Sequence, residues 1–457
     1  STLMRSSAAS DVYKRQRKNK HERARPYNEQ MQPKIGRVFF PVFSRDWQEQ
    51  DRKALMSVAS QEETVCESAN NARTFTILRR ADASVAPLVS VVVPVFNASS
   101  TLEEALCSIT NQTLEDIEIV CVNDASNDTS PEILQRFFAQ DARFTIVNHA
   151  ENAGYGAAMN DGIQTARGTW IAILEPDDFI LPAMYERMLD FASAFENVDI
   201  VKTPYVRELR AEGVARGGKA LTTLNCSYRG RIKPAQQPFT LHDAHTDHLL
   251  RHHPSIWSAL YRRDFLAQKD IHFVEYPGAG WADNEFFFET LLASERIVYL
   301  DEPFYVYREE TATEATTFLR TNKRLPFDRW HAMDEIMRKR GFGNDTNVRL
   351  AHTAKGFTYL GNQLAANTDK EGNTDEEVLD EIGRMFDAMD PALVAREASI
   401  PPHLKEMFIG YRGKEDAADI STSKLSYYAS LLSELAYTLR NNGLGYTLDT
   451  IKRTLRK

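Results

Sequence analysis

Cysteine is scarce in this chain, and the four that occur, Cys66, Cys107, Cys121 and Cys226, lack the spacing of metal ligands. Cys107 and Cys121 fall within apolar patterns that would bury them, so a reduced, cytosolic compartment is expected. Long hydrophobic runs are missing as well. The longest in the body, residues 89–96, is far short of the roughly 20 residues that cross a bilayer, which leaves only peripheral membrane contact. There is no excess of positive charge; a net charge of -9 argues against nucleic acid as the main partner, because phosphate backbones select a basic face. No internal repeat is evident, and residues 1–26, polar and basic, have no apolar core of a secretory signal.

What is present is a soluble globular composition, with 42% hydrophobic and 26% charged residues in a chain of 457, too long for one ordinary domain. Residues 1–30 are expected to be disordered or a non-native leader, and 31–86 an extension packed on the main domain, helix-compatible over 45–72. At Pro87 the texture changes. LVSVVVPVFN and IEIVCVND read as buried strands, 144–148 as a third, and helical patterns occupy 99–110, 131–140 and 154–166. Ser99 or Ser100 is the expected N-cap of the first helix, with Glu103 as its capping-box partner. Strands alternating with helices at this spacing predict an α/β fold, a Rossmann-like, mostly parallel sheet with helices on both faces. Residues 198–206 read as one further strand, 208–237 as a long loop, and 321–457 as a helical C-terminal domain. Residues 213–219 match the first part of a P-loop pattern, but Ala220 stands where a Ser or Thr is needed, and the match is rejected.

The stretch TWIAILEPDD organises the rest. An apolar strand ended by Pro176 delivers Glu175, Asp177 and Asp178 to a sheet edge, where carboxylates this close repel unless a cation joins them. The carboxyl ends of strands in an open α/β sheet are also where ligands bind. Other strand ends supply Asn97, Asp124 and residues 149–152 to the same edge. For Asp124 a helix N-cap or Asx-turn in VNDASND is an equal alternative, and the acidic cluster could instead be a solvated turn.

VSVVVPVFN, IEIVCVNDASND, ENAGYGAAMNDGI and GTWIAILEPDD, followed by WSALYRRDFL, WADNEFFFETL and DEPFYVYR, resemble the family 2 glycosyltransferases of the GT-A fold, of the bacterial surface-polysaccharide type. The resemblance covers about residues 87–308, within a main domain read as 87–320. It implies that Pro94, Phe96, Asn97 and Asp124 hold the base and ribose of a nucleotide-sugar, and that Glu175-Pro176-Asp177 is a variant of the DXD motif. Asp177 would then be the metal ligand supported by Asp178, with Glu175 towards the ribose. Asn152, Gly154, Gly156 and Asn160 correspond to the segment passing the diphosphate, where the glycines permit close approach for want of a Cβ. Met159 stands where the family often has a basic residue.

Asp283 corresponds to the general base; capping the Phe-rich helix is the lesser alternative and is compatible with that role, and Glu285 is the second choice as base. Trp281 could stack on a sugar or belong to the core. The resemblance therefore implies an inverting transferase of the hexosyltransferase class using Mg2+ or Mn2+, a nucleotide-diphosphate sugar (UDP-sugar foremost) and a glycan or lipid-linked acceptor, in cell-surface polysaccharide synthesis. The alternatives are a nucleotidyltransferase, disfavoured because residues 97–101 hold no Lys or Arg, and a non-catalytic nucleotide-sugar- or glycan-binding module. Tyr427, Tyr428, Leu431, Leu432, Leu435 and Leu439 fall at helical spacing, which suits a core or an oligomer interface more than docking at the inner face of a membrane.

Overall fold

The computed structural model describes residues 63–67, 73–79, 86–210, 222–243, 247–278 and 280–455, all within one compact unit, Gln48–Lys457. The expected leader and most of the extension lie outside the described residues. In chain order the first half comprises β1 Glu63–Glu67, β2 Thr74–Arg79, β3 Val89–Val95, α1 Leu102–Thr110, β4 Ile117–Asn123, α2 Ser130–Gln140, β5 Phe144–His149, α3 Tyr155–Thr165, β6 Trp170–Ile173, β7 Phe179–Ile180 and α4 Met184–Ala192. There follow β8 Ile200–Lys202, β9 Tyr205–Leu209, β10 Thr222–Asn225, α5 His248–Arg251, β11 Ala259–Arg262, α6 Arg263–Gln268, α7 Ala282–Ala293, β12 Ile297–Tyr299 and β13 Tyr305–Arg308. The chain closes with helices α8 Ala312–Thr321, α9 Leu325–Lys339, α10 Thr346–Asn367, α11 Glu376–Ala388, α12 Pro391–Arg396, α13 Pro402–Arg412 and α14 Lys424–Leu455.

A nine-stranded sheet runs in the order β1-β2-β5-β4-β3-β6-β11-β8-β12. Its centre, β5-β4-β3-β6, is parallel, and every residue of β3 and β4 is buried, as continuous Val and Ile runs require of strands covered on both faces. Pro94 is tolerated inside β3 because β6 ends at Ile173. The last carbonyl of β3 serving that neighbour is Val92, which accepts from Leu174 N at 3.0 Å, so no ladder partner is lost where Pro94 lacks its N–H. A second sheet, β10-β9-β13-β7, stands beyond the tip of β6.

Four expectations need correction. The segment read as helix-compatible contains β1, which pairs antiparallel with β2, and β2 extends the main sheet beside β5. Residues 198–206 are not one strand: β8 and β9 belong to different sheets, separated by Thr203 and Pro204. The long loop carries β10, whose partner β9 lies before it in the chain. The first helix has Thr101 as N-cap with no side-chain cap, because Ser99 N donates instead to Asp128 Oδ2 at 2.9 Å. Cys107 and Cys121 are buried as free thiols.

The C-terminal helices have their own apolar core, centred on Phe327, Trp330, Phe357, Met385, Phe386 and Phe408. The last helix, kinked at Gly443, leans on β10 through Asn442 Oδ1, which accepts from Asn225 N at 2.8 Å, and through an Arg231–Glu434 pair. Its Tyr428, Leu432 and Leu439 are exposed rather than in a core. Among the described residues no helix is long and apolar enough to cross a membrane.

Candidate active site

The tip of β6 is built by the strand's early end. Pro176 turns the chain out of the main sheet, and β7 carries it into the second, so Glu175, Asp177 and Asp178 stand where the two sheets diverge. Glu175 is half-buried. Its Oε1 accepts from Tyr155 Oη at 2.6 Å, and its backbone N–H donates to Tyr305 Oη at 3.2 Å. Desolvation raises the Glu175 carboxyl to about 8; the Tyr155 bond opposes this, while the charges of Asp177 and Asp283 add to it. Asp178, fully buried, points the other way: Tyr305 Oη donates to its Oδ2 at 2.8 Å and Arg308 N to its Oδ1 at 2.7 Å. With both oxygens so engaged it brackets the two sheets together, and its expected place beside a metal is not what this geometry favours. Arg308 also donates to the Asp177 carbonyl at 3.0 Å and lies over the Phe179 ring. The backbone of the tip is thereby held while the Asp177 side chain stays half-exposed.

Asp124, at the end of β4, is also engaged within the protein. Its oxygens accept from Ala153 N at 2.8 Å and Gly154 N at 2.9 Å, and His149 Nδ1 sits 2.7 Å from Oδ1. It neither caps the following helix nor forms a local Asx-turn; it organises the loop before α3, and Asn152 Nδ2 completes this by donating to its carbonyl at 3.3 Å. Burial would lower the His149 ring, but its bonds to Asp124 and Asp161 prevail and hold its pKa above the ordinary value. Arg73 of the extension joins this buried chain, donating to Asp161 Oδ2 at 2.8 Å and to Glu275 Oε2 at 3.2 Å.

Gly154, at φ +90°, and Gly156 are required, though for protein rather than ligand. A Cβ on Gly154 would lie 2.6 Å from Tyr276 O, and one on Gly156 would strike Val274 O, so both glycines make room for residues 274–278 crossing the start of α3. Asn160 ties the same segment down, accepting from Phe273 N and donating to Phe273 O, each at 2.9 Å. Its amide therefore positions that segment and does not face the cleft as a ligand would need. Phe96 is 49% exposed at the sheet edge, beside Asn97 at φ +50°, whose Oδ1 accepts from Asn127 N. Pro94 is buried within β3.

The segment over α3 leads into α7, with Trp281 as N-cap in the left-handed region and Asp283 in the first turn. Asp283 is half-buried, and Asn284 Nδ2 donates to its Oδ1 at 3.2 Å. Desolvation raises it to about 6, with the Lys355 ammonium opposing. Its charge acts on Glu175 and on Tyr155, so the first turn of α7 lies near the tip of β6. Glu285, the alternative base, is 2% exposed, and its Oε1 accepts from Tyr276 Oη at 3.1 Å and from Arg329 at 3.2 Å, so it is less accessible than Asp283. Burial nonetheless raises it to about 7. Trp281 stacks on Phe318 of α8, 5.5 Å between ring centroids.

Sequence reasoning missed Tyr155, Tyr305, Arg308, Lys355 and Tyr359. The first three lie inside motifs that were visible, GYG and YVYR; the last two sit four apart on α10 with no local signal. Among the described residues no three His, Cys, Asp or Glu side chains are grouped to hold a metal by themselves. The tip offers carboxylate oxygens alone, a donor set suited to a hard divalent cation whose remaining ligands come from phosphate or water.

Residues 90–267 match the model of glycosyl transferase family 2. The match covers the strand ends from β3 to β6 and the β6 tip, while Asp283 and the C-terminal helices lie beyond it. Over 229 residues the chain is 31% identical to the uncharacterized glycosyltransferase EpsJ of Bacillus subtilis (strain 168), covering 49% of this chain and 61% of that protein. It is 26% identical over 245 residues to the uncharacterized glycosyltransferase YibD of Escherichia coli (strain K12), covering 53% and 67%. The chain thus spans about three-fifths of the length of curated relatives such as EpsJ. Among solved structures, S. aureus TarS 1-349 in complex with UDP-GlcNAc superposes with a TM-score of 0.52 at 17% identity, over 76% of this chain and 92% of that one. Residues 90–267 are therefore similar to family 2 glycosyltransferases, and the α/β portion shares its fold with TarS, followed by a helical C-terminal region.

Proposed function

We propose that the protein transfers a glycosyl group from a nucleotide-diphosphate sugar to an acceptor hydroxyl with inversion at the anomeric carbon, Asp283 acting as general base. The observation that carries this reading is the electrostatic coupling of Asp283 to Glu175: two desolvated carboxylates from distant parts of the chain lie near enough for one charge to act on the other, and are raised to about 6 and about 8. A base that ionises near 6 is deprotonated at neutral pH yet basic enough to accept a proton in the transition state. As the acceptor oxygen forms its bond to the anomeric carbon, the bond from that carbon to the diphosphate oxygen breaks and its electron pair leaves with the diphosphate. The acceptor proton passes to an Asp283 carboxylate oxygen.

Phe96 offers the base an aromatic face, and Tyr155 orients Glu175 towards the sugar side of the cleft. Asp177 would hold Mg2+ or Mn2+, which when bound supplies positive charge opposite the departing diphosphate. The preferred donor is a UDP-sugar, the class of ligand carried by TarS, and the acceptor a glycan or lipid-linked hydroxyl of a cell-surface polysaccharide. Asp283→Asn is expected to abolish transfer while leaving nucleotide-sugar binding, read by calorimetry with Mn2+, within about twofold of wild type. Turnover retained in that variant would sink the assignment, and binding without turnover in the wild-type chain would favour a non-catalytic module.

A further inference from the structure

The proposed base lies beyond the segment matched to family 2 and packs near the C-terminal helices. Asn284, next to Asp283, is 4% exposed, and its amide has three partners: Tyr359 Oη donates to Oδ1 at 2.7 Å, while Nδ2 donates to Asp283 Oδ1 at 3.2 Å and to Trp281 O at 3.4 Å. The two acceptors, the Asp283 carboxylate and the Trp281 carbonyl, fix which way the amide faces, and the Tyr359 hydroxyl holds it so by donating to the other end. With Oδ1 engaged by Tyr359, the NH2 end must meet the carboxylate; the reversed amide would set two oxygens against each other. One turn earlier on the same face of α10, Lys355 is 5% exposed, its Nζ donating to His252 O at 3.0 Å and lying 5.6 Å from the centroid of the Tyr359 ring. Its charge acts on Asp283 across the helix pair, and on the neighbouring imidazoles of His252, His253 and His352.

We infer that α10, outside the segment matched to family 2, completes the active site: Tyr359 acting through Asn284, and Lys355 acting through space, are positioning residues that orient Asp283 and favour its ionised form. The inference rests on Asp283 being the base. Burial lowers Lys355 to about 8, and the charge of Asp283 resists that fall, the reciprocal of the effect of Lys355 on Asp283. The other groups that face Asp283 are Glu175 at the β6 tip, Tyr155 of α3 and Glu285 of α7; Glu285 is matched by Arg329 of α9. Glu175, when ionised, opposes Asp283 ionisation, as Glu285 does, and Lys355 is the one cation of α10 set against them. The sign follows: loss of Lys355 favours the protonated acid, so the Asp283 midpoint must rise.

The test is carboxyl 13C NMR of the full-length, ligand-free chain labelled at aspartate, with D283N identifying the resonance. K355M is expected to raise the Asp283 midpoint by about one pH unit and K355R to restore it; Y359F is expected to raise it by less. In parallel, hydrolysis of the nucleotide-sugar that most stabilises the wild-type chain in Mn2+ should fall about tenfold in kcat in Y359F, with donor KM unchanged. Thermal unfolding confirms that each variant is folded, and Y359F keeps the ring that packs on Trp281. A midpoint unmoved in K355M or in Y359F overturns the role given to that residue even when D283N is inactive. Turnover retained in D283N removes the general-base reading instead, so the two failures are told apart.

Discussion

Asp177 and Asp178 are neighbours in sequence with opposite situations in space. Asp178 faces into the junction of the sheets and satisfies Tyr305 and Arg308; Asp177 is held by its backbone carbonyl, and its side chain is half-exposed. Asp178→Asn puts an NH2 against one of the two donors and is expected to cost about 1–3 kcal/mol, read as a lower denaturation midpoint. Asp177→Asn should leave that midpoint within about 0.5 kcal/mol of wild type and instead weaken Mn2+-dependent nucleotide-sugar binding at least about tenfold. The reverse pattern would exchange the two roles. An EPDD motif shows that carboxylates gather at a strand end; which of them faces solvent depends on how β7 enters a sheet whose other strands, β9, β10 and β13, come much later in the chain.

At the scale of elements, the parallel centre of the sheet was legible because β3 and β4 are buried throughout, and burial on both faces leaves a continuous apolar run in the sequence. β10 was not: four residues in a Gly- and Arg-rich stretch acquire strand conformation by pairing with β9. The helix cap was misread for the same kind of reason, since Asp128, which receives Ser99 N, comes from the loop after β4. The glycines before and within α3 were recognised as marking a close approach, but what approaches is the chain's own residues 274–278. Gly156→Ala forces a Cβ into the Val274 carbonyl, backbone against backbone, and is expected to cost about 1–3 kcal/mol in urea unfolding. Because that segment leads directly to Trp281 and Asp283, the same variant should lose turnover more than its stability loss explains. A fully active G156A protein would mean that the 274–278 segment does not position α7.

At the scale of the molecule, the C-terminal helices are a second core applied to the side of the catalytic one. Phe386 is fully buried among Phe357, Phe408 and Tyr411, so Phe386→Ala is expected to cost about 3–5 kcal/mol. Trp330 lies in the same cluster, and its fluorescence reports the transition. The consequence should extend to chemistry: α9 sets Arg329 against Glu285 and α10 sets Tyr359 against Asn284, so turnover should vanish as this region melts, before the sheet unfolds. Activity persisting beyond the Trp330 transition would show the two cores to be independent in function.

Periodicity and short motifs were enough to read the α/β class, the buried strands, the acidic tip and the helical nature of the C-terminal region, because each is written by residues adjacent or one turn apart. Contacts across long separations decided the rest. His149 between Asp124 and Asp161, Arg308 across the β6 tip, and α10 behind Asp283 are pairings in which neither partner carries a local mark of the other. A side chain's chemistry is set by what desolvates it and what charge it faces, and those neighbours exist only once the chain has closed on itself.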